Sequence, residues 1–266
     1  MTRDSQPPTR PEPDGDRPSP RSKPRAARAP FPGALSTGTP PHEAGPRSGA
    51  GQGAFLWMAR HAEVHVDWQP IAYGSQDVPL SPEGELRSDE LARSLALVEP
   101  DQIVSSDLER AARLGRELAR ISGAPLELTP GLREIDRGEW EEMTVANLRR
   151  ERAEQAARWY ADPWRFDEHG GESDAVVVDR AWPPLERALQ SGARRIVLTA
   201  HYNVLRCVVS AALGLNPSNS FSWRLDKACC ALLIDTPSGF QLAASNLRDP
   251  GAFQLGDEHL NVGPKR

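Results

Sequence analysis

The segment Phe55-Leu-Trp-Met-Ala-Arg-His-Ala-Glu63 sets the fold of this chain, because an apolar run ends there at charged residues. The four apolar residues from Phe55 to Met58 predict a short buried strand. The late segment Arg195-Ile-Val-Leu-Thr199 repeats the pattern and leads to His201. Between the two segments, short apolar runs alternate with longer helical patterns. This alternation is typical of β-α-β units and predicts an α/β fold, with helices covering a mainly parallel sheet.

The other predicted elements continue this alternation. Ser81-Pro82-Glu83 has the residue types of a helix start, with an N-cap followed by proline at the first helical position. That helix runs toward Val98 and offers Leu86, Leu91 and Leu95 for burial. Further patterns predict strands at residues 102–104 and 126–128, with a helix between them that ends before Gly123. Helices are also predicted over residues 148–160 and 204–213, together with a helix from residue 173 that Pro183 and Pro184 kink or interrupt. An edge hairpin is predicted over residues 231–242.

Composition divides the 266-residue chain into a tail and one domain. Residues 1–50 hold 12 of the 25 prolines and carry a formal charge of +3, so residues 51–266 carry −8. We predict a disordered Pro/Arg/Gly-rich tail over residues 1–50 and one folded domain over residues 51–266. Because a domain with this charge lacks the basic surface of a nucleic-acid binder, no nucleic-acid partner is expected.

The sequence also predicts the cellular compartment of the protein. No apolar run approaches the roughly 20 residues that a membrane helix needs, so no membrane partner is expected. The N-terminus lacks the apolar core of a secretory signal. Three cysteines, two of them adjacent, cannot form a disulfide framework, and a reducing cytoplasm is the simplest setting for them. We therefore expect a cytoplasmic protein, and the sequence leaves a homodimer open.

Charged side chains follow three of the predicted strands. Arg60 and His61 follow the first strand, Arg110 lies on the first turn of the helix after the second, and His201 follows the late strand. Ligands of such sheets bind outside the carboxyl ends of the strands, so these four side chains are expected to meet. Two guanidiniums in one crevice repel each other unless an anion separates them, and their planar forks match phosphate oxygens. The sequence therefore predicts a site for phosphate or a similar tetrahedral anion.

The remaining residues limit the chemistry at such a site. No Walker-type glycine loop supports nucleotide-driven transfer, and no Asp cluster or Cys/His set has the spacing of a metal site. Cys207 lies on a predicted helix and is expected to be buried. An imidazole is therefore the predicted nucleophile, either His61 or His201.

A departing alkoxide also needs a proton donor. Glu134 is the first candidate, because its neighbours Leu132 and Ile135 would give the carboxyl an apolar setting that suits an acid. Glu63 and Asp136 are the weaker alternatives.

Six blocks of the sequence resemble the histidine phosphatase superfamily, whose fold is the phosphoglycerate mutase-like fold. Arg60-His61 after an apolar strand resembles the family's Arg-His-Gly signature. The other blocks follow in the family's order, and they are residues 74–84, 105–111, 132–141, 170–173 and the strand that ends in His201. The resemblance covers about residues 54–250. It implies an α/β three-layer sandwich with a mainly parallel central sheet.

The resemblance also implies a metal-independent phosphomonoesterase without a cofactor. His61 would attack the phosphomonoester and carry a phosphohistidine, while Glu134 would protonate the leaving oxygen and later activate water. Arg60, Arg110 and His201 would hold the phosphoryl oxygens. The implied partner is a small-molecule phosphomonoester, as in the broad-specificity and α-ribazole-phosphate-type phosphatases.

Four residues depart from the family's pattern. Ala62 and Tyr202 stand where glycine usually follows the two histidines, and their side chains are expected to tighten the pocket. Asp67 adds a carboxylate where the family often has a neutral polar residue. Glu142 occupies a position that is commonly glycine.

Two other functions stay open at this point. The mutase branch holds its substrate with basic residues on a longer insertion, whereas only about 38 residues separate Glu134 from Glu172 here. The end of that segment, residues 159–166, is rich in aromatic residues, which suit a ring-bearing leaving group or pack the cap onto the domain. A phospho-ligand-binding protein that has lost turnover is the second alternative, and the altered glycine positions favour it.

Overall fold

A six-stranded sheet forms the centre of the computed structural model, which describes residues 38–47, 49, 51 and 53–253. Its strands are β1 (Phe55–Arg60), β2 (Gln102–Ser106), β3 (Leu126–Thr129), β4 (Arg195–Ala200), β5 (Cys230–Thr236) and β6 (Gly239–Leu247). They lie in the order β3-β2-β4-β1-β5-β6. The first four in that order pair in parallel, whereas β5 pairs antiparallel with β1 and β6. The predicted parallel sheet with an edge hairpin is confirmed.

Helices cover both faces of this sheet. The α-helices of the described residues are α1 (Pro41–Ala44), α2 (Pro82–Ala96), α3 (Glu109–Ser122), α4 (Val145–Glu151), α5 (Ala153–Ala161), α6 (Asp174–Gln190) and α7 (Tyr202–Leu213). Helix α2 starts as predicted, because the Ser81 hydroxyl accepts a hydrogen bond from the Gly84 amide at 2.9 Å. Gly123 and Gly214 end α3 and α7 in the left-handed conformation, with φ of 74° and 64°.

The two faces of the sheet bury separate apolar clusters. One cluster joins alternate residues of the strands, such as Leu56 and Leu198, to the apolar sides of α6 and α7. The other joins the intervening residues, such as Trp57 and Val197, to α2 and α3. Strand side chains alternate between faces, so a strand buried on both sides reads as one continuous apolar run. This packing confirms the predicted three-layer sandwich.

The strand register brings the predicted site residues to one edge. Arg60 lies opposite Ala200 in the β1–β4 pairing, and Ser105 lies opposite Thr199 in the β2–β4 pairing. The three strands therefore end side by side, and their polar continuations begin at the same edge. The amide of His61 extends the pairing by donating to the Ala200 carbonyl at 3.1 Å.

One prediction about α2 is wrong. Leu86 is 60% exposed, although Leu91 and Leu95 are buried as expected. The buried face of α2 runs through Gly84, Ser88 and Leu91, and Leu86 points away from it by helical periodicity.

The helix predicted over residues 148–160 consists of two helices. Helices α4 and α5 meet at Arg152, whose φ of −125° and ψ of 26° are not helical. The break lets both helices line the same cavity above the sheet edge, through Leu148 on α4 and Tyr160 on α5.

The prolines of α6 do not interrupt it, since the helix runs from Asp174 to Gln190 with Pro183 and Pro184 inside. Gly131 packs closely against this part of the helix. A Cβ at Gly131 would lie 2.6 Å from the Arg180 carbonyl oxygen and 3.1 Å from Pro184.

The tail over residues 1–50 and the domain boundary at residue 51 stay predictions, because residues 1–37 lie outside the described residues. Described residues before the boundary contact the domain. The Trp164 indole donates to the Gly38 carbonyl at 2.7 Å, and the Arg47 guanidinium lies 5.3 Å from the ring centroid of Trp182. Among the described residues, none of the helices is long and apolar enough to cross a membrane.

Candidate active site

His61 lies directly after β1 and is 2% exposed. Its Nδ1 lies 2.7 Å from the carbonyl oxygen of Ala62. A carbonyl oxygen can only accept a hydrogen bond, so Nδ1 carries the proton and Nε2 carries the lone pair. Burial, followed by the charges of Arg110 and Arg60, holds the pKa of His61 well below its usual value. The imidazole is therefore a neutral base with a free nitrogen at neutral pH.

His201 lies beside it after β4, with the ring centroids of the two histidines 5.1 Å apart. Its Nε2 is 2.9 Å from the hydroxyl of Ser106, the last residue of β2. Its Nδ1 is buried and has no hydrogen-bond partner among the described residues. Burial and the charge of Arg110 hold the pKa of His201 well below its usual value, so this imidazole is neutral as well.

The two arginines are each fixed by backbone carbonyls. Arg110 is fully buried on the first turn of α3 and donates to the carbonyls of Gly74 and Gln76. Arg60 donates from Nη1 to the Leu225 carbonyl at 2.7 Å. The Nε groups of both arginines are buried and lack a partner among the described residues. Buried donors are almost always paired in folded proteins, so these two Nε groups indicate that an acceptor from a bound ligand pairs with them.

Glu134 approaches the same edge from the loop after β3. The residue is 7% exposed, and its Oε1 accepts a hydrogen bond from the Ile135 amide at 2.9 Å. Its Oε2 accepts from the Asn203 side chain at 3.3 Å. Leu132 and Ile135 are fully buried, so the expected packing of these two neighbours of Glu134 is confirmed.

A buried ion pair supports the loop that carries Glu134. Glu172 binds Arg180 through both carboxylate oxygens at 2.8 Å, and Glu172 Oε2 also accepts from the Asp136 amide at 3.0 Å. Arg180 reaches the carbonyls of Gly131 and Glu134 on either side of the loop. The carboxylate of Glu172 does not line the cavity. Glu172 therefore acts on the site indirectly, by holding the loop that carries Glu134.

A cavity of about 570 Å³ opens over this edge. Arg60, Glu134 and Asn203 form part of its floor, and the cap formed by α4 and α5 contributes aromatic walls. Of residues 159–166, Trp159 and Tyr160 line the cavity, whereas Trp164 packs into the core beside α6. The packing alternative is therefore confirmed for Trp164, and the binding of a ring-bearing leaving group by the cavity-lining residues stays a prediction.

Further polar residues of the cavity lie outside the sequence prediction, among them Asn203, Arg137 and Lys227. Asn203 binds Glu134, Arg137 lies over the Trp159 ring at 4.7 Å, and Lys227 lines the cavity close enough to lower the pKa of His61. Asn203 could have been found, because it lies two residues after His201 on the first turn of α7. Arg137 lies three residues after Glu134 in the block 132–141, so the sequence placed its loop at the site without singling out its side chain. Lys227 carries no sequence signal, since only the tertiary fold brings its loop to the cavity.

The alternative acids lie elsewhere. Asp136 accepts a hydrogen bond from the Gly138 amide at 2.8 Å and does not line the cavity. Glu63 does not line it either. Cys207 is buried in the core, as predicted.

The residues that depart from the family's pattern fit into the structure through contacts of their own. Ala62 is buried without a left-handed φ, and its carbonyl holds His61. Tyr202 donates its hydroxyl to the Trp223 carbonyl at 2.7 Å, and its ring lies 5.2 Å from the Arg60 guanidinium. Asp67 is exposed and pairs with His65 at 3.2 Å, away from the cavity.

Glu142 has the left-handed φ of 72° that makes glycine common at such a position. Within the described ranges, no group of three or more His, Cys, Asp or Glu residues is arranged to hold a metal ion.

Comparisons with known proteins show which family the chain is similar to. The family model of the histidine phosphatase superfamily (branch 1) matches residues 56–248. A glucosyl-3-phosphoglycerate phosphatase of Mycolicibacterium vanbaalenii is 34% identical over 209 residues, which cover 74% of this chain and 88% of the relative. An adenosylcobalamin/α-ribazole phosphatase of Salmonella typhimurium is 25% identical over 186 residues, which cover 70% of this chain and 92% of the relative.

The same likeness holds for three-dimensional structure. The solved native structure of a mycobacterial glucosyl-3-phosphoglycerate phosphatase has a TM-score of 0.65 at 27% identity, over 73% of this chain and 99% of that chain. The prediction of a phosphoric monoester hydrolase with the phosphoglycerate mutase-like fold is confirmed by these relatives. The chain belongs to the histidine phosphatase superfamily.

Proposed function

We propose that this protein hydrolyses a small phosphomonoester through a phosphohistidine formed on His61. One observation carries the proposal: the neutral imidazole of His61 lies beside two cationic side chains whose buried donors lack partners among the described residues. Those donors are Arg60 Nε and Arg110 Nε, and the buried Nδ1 of neutral His201 lacks a partner as well. Phosphoryl oxygens would satisfy them, and the two guanidiniums would balance the phosphate charge.

In the first step, the Nε2 lone pair of His61 forms a bond to phosphorus as the ester P–O bond breaks. Glu134 donates its proton to the departing oxygen, which leaves as an alcohol. In the second step, the Glu134 carboxylate takes a proton from water, whose oxygen attacks phosphorus and releases His61 and inorganic phosphate. Asn203 positions Glu134 in both steps through the hydrogen bond to Oε2.

The protein itself supplies the charge stabilisation that phosphoryl transfer requires. Arg60, Arg110 and His201 donate hydrogen bonds to the oxygens over which the transition-state charge spreads. Removing one such donor should cost roughly 3–4 kcal/mol of transition-state stabilisation. We therefore expect turnover without an added metal.

The cavity favours a bulky leaving group. Relatives of this chain are phosphatases named for glucosyl-3-phosphoglycerate and for α-ribazole, and both names denote substrates larger than a simple phosphorylated acid. The aromatic walls and the volume of about 570 Å³ would accept a ring-bearing metabolite. We place the enzyme in the cytoplasm, where its three free buried cysteines stay reduced.

Hydrolysis of a chromogenic aryl phosphate in excess chelator tests the proposal. Wild type should turn over, His61→Ala should be inactive, and His65→Ala should behave as wild type, because His65 pairs with Asp67 away from the cavity. Turnover that requires added metal, or that survives in His61→Ala, would contradict the mechanism. Vanadate binding without turnover would favour a protein that only binds phospho-ligands, and interconversion of phosphoglycerates would favour a mutase.

A further inference from the structure

His201 has only one of its two ring nitrogens engaged by the protein. Its Nε2 lies 2.9 Å from the hydroxyl oxygen of Ser106, whereas its Nδ1 is buried and has no hydrogen-bond partner in the described part of the chain. The ring is neutral because burial holds its pKa well below the usual value, so a single proton lies on one of the two nitrogens. The position of that proton decides whether Nδ1 can donate a hydrogen bond.

The surroundings of Ser106 determine where the proton lies. The Ser106 hydroxyl oxygen accepts a hydrogen bond from the Leu108 amide at 3.2 Å. The hydrogen of the same hydroxyl needs an acceptor, because Ser106 is fully buried. Among the described residues, His201 Nε2 is the only acceptor that this hydroxyl reaches with hydrogen-bond geometry.

The two tautomers of His201 differ in the number of buried polar groups that they leave unpaired. With the proton on Nε2, both the Ser106 hydroxyl hydrogen and the Nδ1 lone pair lack partners. With the proton on Nδ1, Ser106 donates to Nε2 and only the Nδ1–H group lacks a partner. Each unpaired buried group costs about 1–3 kcal/mol, so the tautomer with the proton on Nδ1 is the more stable one.

We infer that Ser106 is a positioning residue that holds the proton of His201 on Nδ1, where it forms a hydrogen bond to the transferred phosphoryl group. This inference rests on the proposed function and adds a residue to its site. An Nδ1–H group pairs with an anionic oxygen, whereas an Nδ1 lone pair would repel it. The unpaired Nε groups of Arg60 and Arg110 are the neighbouring donors. Besides burial, the charges of both arginines lower the pKa of His201, which places them close to the imidazole.

Ser106 is itself held in place on both sides of its side chain. Its carbonyl accepts a hydrogen bond from the Ser105 hydroxyl at 2.8 Å, and the Ser105 hydroxyl oxygen accepts one from Thr199 at 2.6 Å. The Leu108 amide, at the start of α3, occupies the Ser106 hydroxyl oxygen. The hydrogen bonds from Leu108 through Ser106 to His201 therefore run in one direction, toward the imidazole.

Heteronuclear NMR of isotopically labelled histidines measures the tautomer directly, because a protonated ring nitrogen and one that bears a lone pair differ strongly in chemical shift. The His201 signals are those that disappear in His201→Asn. We expect ligand-free wild type at pH 7.5 to carry the proton on Nδ1, and Ser106→Ala to carry it on Nε2 or to exchange it between both nitrogens. A proton on Nε2 in wild type, or an unchanged tautomer in Ser106→Ala, would overturn the inference.

Vanadate affinity and turnover of an aryl phosphate show whether the tautomer serves the site. Ser106→Ala should raise the vanadate Kd and lower kcat/KM, each about 10- to 100-fold, as loss of a partner that orients an imidazole does. Ser106→Thr keeps the hydroxyl and should restore the tautomer and both constants. The matched control is Ser105→Ala, whose native hydroxyl donates to a backbone carbonyl instead of His201. Thr199 keeps the Ala111 carbonyl as an acceptor at 3.3 Å in that variant, so the tautomer and both constants should stay close to those of wild type.

Equal losses in Ser105→Ala and Ser106→Ala would overturn the inference, because they would show only that β2 has to stay intact. Wild-type vanadate affinity and turnover in Ser106→Ala would overturn it too. The wild-type spectrum decides the position of the proton even where a variant does not fold. If wild type carried the proton on Nδ1 but formed no phosphohistidine and hydrolysed no phosphomonoester, the proposed function itself would fail, while the tautomer set by Ser106 would stand.

Discussion

Lowering the pH from 7.5 to 5.5 should destabilise this protein through its two buried site histidines. Burial and the charge of Arg110 hold the pKa of His61 and His201 well below 6.5 in the folded state. In the unfolded chain, both imidazoles take up a proton as the pH falls through about 6.5. The unfolded state then binds more protons than the folded state, so the free energy of unfolding decreases as the pH falls below that value. At one pH unit below 6.5 the loss is on the order of 1 kcal/mol for each histidine.

Urea unfolding at pH 7.5 and pH 5.5 measures this loss. Burial also lowers the pKa of His169 to about 4, and this contribution is common to every variant compared. His201→Asn should therefore lose less stability than wild type between the two pH values, by an amount on the order of 1 kcal/mol, whatever its stability at pH 7.5. An equal loss in His201→Asn would refute the argument that His201 is held neutral by burial.

Three substitutions test the rest of the site. Glu134→Gln should lower kcat/KM about 10²–10⁴-fold for an alkyl phosphate but much less for p-nitrophenyl phosphate, whose leaving group departs unprotonated, and equal losses would contradict a proton-donor role. Glu172→Gln weakens the contact with Arg180 and should displace Glu134, so we expect kcat to fall about 10- to 100-fold with little change in KM. An unchanged kcat would show that the Glu172–Arg180 pair does not hold Glu134 in position. Tyr202→Phe keeps the ring beside Arg60 but loses the hydrogen bond to the Trp223 carbonyl. Urea unfolding should show that the free energy of unfolding falls by about 1 kcal/mol. An unchanged free energy of unfolding would indicate that this hydrogen bond does not stabilise the fold.

The sequence predicted those parts of the site that depend on local pattern. Arg60, His61 and His201 were found because each follows an apolar strand, and parallel strands end at a common edge. Arg110 was found because it lies on the first turn of the next helix. These residues occupy one edge in the structure, through the pairing of Arg60 with Ala200 and the contact between His201 and Ser106.

Residues that depend on the arrangement of the cap were not predictable. Lys227 comes from a loop whose course is set by long-range packing, and no residue spacing relates it to the strand ends. The loop of Arg137 was predicted through Glu134, but the direction of the Arg137 side chain toward Trp159 depends on the packing of α5. The break between α4 and α5 at Arg152 was missed because the apolar period continues across it from Leu148 to Ala156. Leu86 was assigned to the core on residue type, whereas the buried face of α2 passes through small residues such as Gly84 and Ser88.

Trapping the covalent intermediate examines the proposed nucleophile itself. Wild type is exposed briefly to labelled phosphomonoester, quenched, and digested for mass spectrometry. We expect an acid-labile, base-stable phosphoryl group on His61, and no labelled enzyme from His61→Ala. An acid-stable adduct, or a phosphoryl group on His201 in the wild type, would contradict the assignment of His61 as the nucleophile.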